Sequence, residues 1–147
     1  MLECLTCTPE HIKQLRDHIR EGDRIELALA TGRPPEEVLD ETLVIATQSF
    51  VYVEDGVVLC VFGVTTDHHD PEIGVPWMIA SDTFESAGKR LVRKCRDKIT
   101  ELSKGYNLLF NYVHADNSVA INWLEWCGFT VVRDDAGSPF LLFWRYV

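Results

Sequence analysis

The sequence predicts a mixed α/β sheet flanked by helices, on three observations. A strand-like run at residues 74–81, a long amphipathic stretch ending at Lys104 and a second run at 108–113 read as strand, helix and strand. Such a crossover is right-handed and makes the two strands parallel. Upstream, Glu54-Asp55-Gly56 separates two apolar runs, 48–53 and 57–65, as an Asp-Gly hairpin turn does. Downstream, NSVAINWLEWCGF at 117–129 reads as a capped helix stopped by Gly128, and FTVV then enters another strand. A chain of 147 residues is expected to form one domain with a real core.

Taken in order, residues 1–7 read as a first strand. Thr8-Pro9-Glu10 starts a helix with a capping hydroxyl, a proline in the first turn and an acid near the positive end of the dipole. Its inward face is Ile12, Leu15, His18 and Ile19, and Glu21-Gly22-Asp23 is expected to break it. Residues 25–30 read as a short second helix. Pro34-Pro35-Glu36-Glu37 opens a third, with Val38, Leu39, Leu43 and Val44 inward. The hairpin and the strand at 74–81 follow. The long helix, 86–104, carries Phe84, Ala87, Leu91, Cys95, Ile99 and Leu102 on its inner side and ends at Gly105. In the stretch 117–129, either Asn117 or Ser118 can cap, and Ala120, Trp123, Leu124 and Cys127 form the buried stripe. A turn at 134–139 leads to a last strand at 140–147.

Composition excludes several classes. No apolar run approaches a membrane span, and no basic region precedes an apolar core at the N-terminus. Five scattered cysteines suggest no disulfide framework and fit a reducing interior. The net charge of −9 argues against a broad nucleic-acid surface. Residues 86–104 nevertheless carry +5, which leaves −14 for the rest of the chain. One basic helix in an acidic protein is either an anion or docking site or a solvated face. The run Asp67-His68-His69-Asp70-Pro71-Glu72 looks like a metal cluster, but no second ligand pair follows, so it reads as a polar loop. Cys4-Leu5-Thr6-Cys7 likewise lacks a partner pair and reads as two strand cysteines. No metal is expected.

The order of elements resembles the GNAT family of N-acetyltransferases over essentially the whole chain. The most specific residues are in the 117–129 stretch. Family members often carry Asn-x-x-Ala-x-x-x-Tyr-x-x-x-Gly-Phe, and Asn117, Ala120, Gly128 and Phe129 stand at that spacing. A narrower resemblance, over roughly the C-terminal half, is to the GNAT-like internal virion protein of short-tailed phages. It rests on PWMIASD at 76–82, AGKRL, DKITEL, NYV, Asn117 and Leu124.

The family resemblance implies acetyl-CoA bound where two parallel strands splay apart, and an acceptor amine of unknown identity. The pantetheine would lie along the backbone of Met78, Ile79, Ala80 and Ser81. The pyrophosphate would meet Ser86, Ala87, Gly88 and Lys89 at the start of the long helix, since a helix N-terminus is an anion site. Asn117 belongs to the same cofactor set. Two departures stand out. In the phosphate loop only Gly88 matches the family well, and Glu85 puts an anion near the pyrophosphate. Leu124 replaces the tyrosine that often protonates the departing thiolate. His114 is the candidate catalytic residue, because its ordinary pKa suits accepting an amine proton near neutrality. Two functions therefore follow from the resemblance: acetyl-CoA-dependent acetyl transfer to an amine, or a catalytically silent role among phage virion proteins. Neither involves nucleic acid or membrane, and the expected location is the host cytoplasm or the virion.

Overall fold

The computed structural model describes residues 1–133 and 137–147. In chain order the elements are β1 (Leu2–Thr6), α1 (Pro9–Arg16), α2 (Glu21–Thr31), α3 (Pro35–Ile45), β2 (Gln48–Glu54), β3 (Val57–Thr66) and β4 (Ile73–Ala80). A 3-10 turn at Glu85–Ala87 leads into α4 (Gly88–Leu102), then β5 (Leu108–His114), α5 (Ser118–Trp126), β6 (Thr130–Val131) and β7 (Phe140–Tyr146). One sheet runs β1-β2-β3-β4-β5-β7-β6. β4 and β5 are parallel neighbours with α4 crossing between them, as the strand–helix–strand order predicts. The other strand pairs are antiparallel.

Side chains alternate across a strand, so the sheet builds two cores. Val51, Val61 and Ile79 pack against Ile12, Leu15 and Leu39 of α1 and α3. Phe62 and Val64 pack on the other face with Leu91, Cys95 and Ile99 of α4 and with Ile121 and Leu124 of α5. Gly74 holds the parallel pair together: a Cβ there would lie 2.8 Å from a Leu109 methyl and 2.9 Å from Val64, so a side chain would push the strands apart. At the far end of α5, Gly128 has φ 90°, the left-handed turn expected of a helix stop.

Several expectations change. Glu21, Gly22 and Asp23 do not break a helix but begin α2, because acids suit a first turn and Asp23 finds buried partners there. α1 stops at Arg16, which leaves His18 exposed. Val44 sits in the last turn of α3 and faces solvent. The long helix starts later than residue 86, since Gly88, at φ 67°, separates the 3-10 turn from α4 and leaves Ala87 half-buried. On α5, Ile121 joins Leu124 and Cys127 in the core, while Ala120 and Trp123 are half-buried because they border cavities. Asn117, not Ser118, is the cap, its Oδ1 accepting from the Ala120 N–H at 3.4 Å. The strand expected from Phe129 is the short β6. The turn at 134–139 lies partly outside the described residues. The loop 67–72 folds on itself, with Asp67 Oδ2 accepting the N–H groups of His69 and Asp70, both at 3.0 Å.

Candidate functional site

β4 and β5 are paired at Ile73–Leu108 and Gly74–Leu109, and beyond that point they diverge. Backbone hydrogen-bonding groups alternate in direction along a strand, so the even-numbered residues of β4 face the opening. Asn111 Nδ2 donates to the Pro76 carbonyl at 2.8 Å, bridging the gap near its start. At the far end the chain fills its own edge. The Arg20 N–H donates to the Ala80 carbonyl at 2.8 Å, and the Asp82 N–H donates to the His18 carbonyl at 2.9 Å. Asp23 Oδ2 accepts the Ala80 N–H at 2.7 Å. Met78 lies between these plugs, and among the described residues nothing pairs with its backbone on that side. It lines a cavity of about 520 Å³ between α2, β4, β5 and α5.

The α2 wall of this cavity is acidic. Asp23 is buried, and its second oxygen accepts from Arg20 Nη2 at 2.8 Å. Arg20 Nη2 also donates to Asn117 Oδ1 at 2.7 Å, which ties α2, β4 and α5 into one network. Glu26, one turn along α2, accepts the His114 N–H at 2.5 Å. Burial pushes the Glu26 carboxyl above the usual carboxylate range, nearby Asp23 adds to the rise, and the hydrogen bond from His114 opposes it. The His114 ring stands edge-on to Phe140, and its Nδ1 accepts the Asp116 N–H at 3.1 Å. In the neutral ring the proton is then on Nε2. His114 lines a smaller cavity of about 270 Å³ that meets the larger one at Glu26.

A second recess of about 570 Å³ lies between α4 and α5, lined by Glu85, Gly88, Lys89, Arg93, Trp123 and Trp126 among others. The start of α4 has no side-chain cap and no acid in its first turn. Lys89 and Arg90 stand there instead, the unfavourable sign for a helix dipole unless an anion shares the site. Arg90 is paired with Glu54, whereas Lys89 and Arg93 have no carboxylate partner among the described residues. Glu85 leans toward Arg20, 3.5 Å from Nη1. Trp123 borders both the recess and the large cavity, and its indole N–H is buried without a partner. Leu124 lines the large cavity and offers no donor.

Met78 and Ile79 thus lie on the large cavity, and Gly88 and Lys89 on the recess. The backbone of Ala80 is on the splay edge but already engaged, and the Ser81 N–H bonds back to the Leu59 carbonyl. Ser86 Oγ donates to the Thr83 carbonyl. Asn117 is a structural hub rather than an open donor, although its Nδ2 is unpaired. Arg20, Asp23 and Glu26 are the residues that sequence reasoning missed. Their signal was there: polar groups three apart on the face that also carries Leu27 and Ala30.

No protein-family model matches this chain, and no curated protein matches it. Its fold, however, is that of the GNAT acetyltransferases. The GNAT domain of S. lividans PAT superposes with a TM-score of 0.73 at 8% identity, over 99% of this chain and 89% of that one. An acetyltransferase from Thermus thermophilus gives 0.71 at 16% identity, over 100% and 97%. The Salmonella typhimurium protein yncA, solved with its cofactor acetyl-CoA, gives 0.66 at 12% identity, over 99% and 93%. None of these supports the narrower resemblance to a phage internal virion protein. Among the described residues no helix is long and apolar enough to cross a membrane.

Proposed function

We propose that the protein is an acetyl-CoA-dependent N-acetyltransferase that acts on an amine held in the β4–β5 splay. The observation that carries this is the unpaired Met78 backbone edge, facing a cavity that Trp123 links to a recess with an uncapped basic helix start. The residues fit acetyl-CoA in that sense: an open strand edge for an amide chain, and a helix start without a side-chain cap, flanked by Lys89 and Arg93, for phosphates. Bound there, acetyl-CoA would supply an activated thioester, whose carbonyl carbon forms a C–N bond with the amine as its C–S bond breaks.

The chain's own residues then have distinct tasks. Met78 offers one N–H and one C=O to align the acyl arm. Glu26 takes the amine proton, because it opens on the cavity beside the splay and burial raises its carboxyl above the ordinary value. His114 positions Glu26 through its backbone N–H. Its ring lies on the smaller cavity with Nδ1 engaged, so Glu26 is better placed than His114 to act as the base. Leu124 gives the departing sulfur no proton. The unpaired Trp123 N–H can only donate a hydrogen bond, so turnover is slow.

The test is a melting curve with acetyl-CoA, followed by acetylation of model amines. Ligand at about a hundred times its dissociation constant adds about 2.7 kcal/mol. For a chain of this size that is a rise of several degrees, about 2–4 °C per kcal/mol. An unchanged melting temperature at millimolar acetyl-CoA defeats the proposal. If transfer is seen, Glu26→Gln should slow it and His114→Ala should slow it less.

A further inference from the structure

We propose that the cavity in the splay selects a small amine that has one positive charge, an apolar or aromatic body and no carboxylate. This rests on the acyltransferase reading above and names the acceptor class for the same site. Among the described residues, the charged side chains lining the cavity are Asp23 and Glu26, with no lysine or arginine. Asp23 is already answered, by the Ala80 N–H at 2.7 Å and by Arg20 at 2.8 Å. Arg20, the nearest cation, is held by Asp23 and Asn117. Glu26 has a backbone N–H at one oxygen and no cationic side chain paired to it among the described residues. A shielded carboxylate without a counter-charge is costly, and a substrate ammonium group supplies one.

The rest of the lining decides the body of the ligand. Leu27, Leu29, Trp77, Tyr112 and Phe140 surround the acidic wall. Aromatic faces also attract a cation within about 6 Å, so they reinforce recognition of an ammonium head. About 520 Å³ is within the usual range for a small-molecule site, roughly 300–1,000 Å³. A carboxylate on the acceptor would be brought into this lining beside Glu26 with no cation to meet it. Discrimination against amino acids therefore comes from repulsion as well as from the missing partner.

The experiment measures binding to the protein without acetyl-CoA, by titration calorimetry, for three probes that share a phenyl ring and two-carbon chain. These are phenethylamine, 2-phenylethanol and L-phenylalanine. Phenethylamine should bind at least tenfold tighter than either of the others. Glu26→Gln should weaken phenethylamine by about tenfold to a hundredfold, the scale of a hydrogen bond to a charged group, and leave 2-phenylethanol unchanged. Circular dichroism reports whether the variant is folded; if it is not, the ranking of the three probes on the wild-type protein decides alone. L-Phenylalanine binding as well as phenethylamine, or no preference for the amine over the alcohol, overturns the inference. Failure of the acetyl-CoA melting shift with the amine ranking intact removes the acyltransferase reading instead. A reversed ranking with the shift intact removes only the acceptor class.

Discussion

The two recesses on either side of Trp123 differ in how the chain treats its own polar groups. In the splay, the chain satisfies most of them: Asp23 and the Arg20 backbone occupy Ala80, and Asn111 occupies Pro76. Among the described residues, the Met78 backbone and the Trp77 and Trp123 indole N–H groups are left unpaired on the cavity, and Glu26 has no cationic partner there. At the start of α4 the opposite holds. The helix is uncapped, and Lys89 and Arg93 have no partner among the described residues. The splay is thus a preformed, mostly neutralised pocket with one excess negative charge. The α4–α5 recess carries Lys89 and Arg93 without a carboxylate partner among the described residues, beside Glu85. Stability should therefore be concentrated in the first region, and ligand and salt dependence in the second.

The largest break in this contrast is expected at Asp23. Replacing it with alanine leaves the Ala80 N–H without its acceptor and removes the main partner of the mostly buried Arg20. Removing one partner of a buried ion pair costs about 3–5 kcal/mol. Urea denaturation should show a loss on that scale, and a loss below about 1 kcal/mol means the network does not hold the splay together. Leu124→Ala comes next. Leu124 is 6% exposed and is part of the α4–α5 core cluster, so the truncation should cost about 2–5 kcal/mol. An unchanged denaturation midpoint would show that α5 is not packed as described.

The contrast also explains what was legible in the sequence. The parallel pair was, because a strand, a long helix and a strand in succession allow little else. A cap at Asn117 or Ser118 and the stop at Gly128 were legible because caps and stops are local chemistry, and the structure selects Asn117. Trp123 reads as a core residue because periodicity reports a face, not whether that face borders packed atoms or a cavity. Arg20, Asp23 and Glu26 escaped for another reason. The partner of Asp23 is 57 positions away at Ala80, and that of Glu26 is 88 positions away at His114. Their spacing three apart marks one helix face, but the distant partners that make that face a site leave no trace in spacing. Segment 21–23 therefore reads as a helix breaker, when its acids open α2 and Asp23 plugs the sheet.

The acidic wall makes a pH prediction. The folded-state pKa of Glu26 is raised above its ordinary value, mainly by burial. Between the ordinary and the raised value the folded state keeps a proton that the unfolded chain has lost. Stability from this group is therefore greatest at low pH and declines as pH rises through that window. Melting temperatures of wild type and Glu26→Gln should converge at acidic pH and separate above it, with the variant the more stable. Parallel curves across the window would mean that Glu26 is solvated like a surface acid.

The smallest expected effects sharpen the other side of the comparison. Lys89 stands in the first turn of α4, where its charge opposes the helix dipole in the free protein and, on the proposed function, would complement a phosphate of acetyl-CoA. Lys89→Ala should therefore leave the free protein as stable as before, or slightly more so, and reduce the melting shift produced by acetyl-CoA. Glu85 is 59% exposed at its side chain and is drawn toward Arg20. Glu85→Ala removes an anion beside the same helix start and should increase the shift. Each change is worth about 0.3–1 kcal/mol at low ionic strength. Both effects should fade in about 1 M salt, where the screening length falls to about 3 Å. Changes in the same direction for both variants, or shifts that ignore salt, would show that the recess does not hold its ligand by charge.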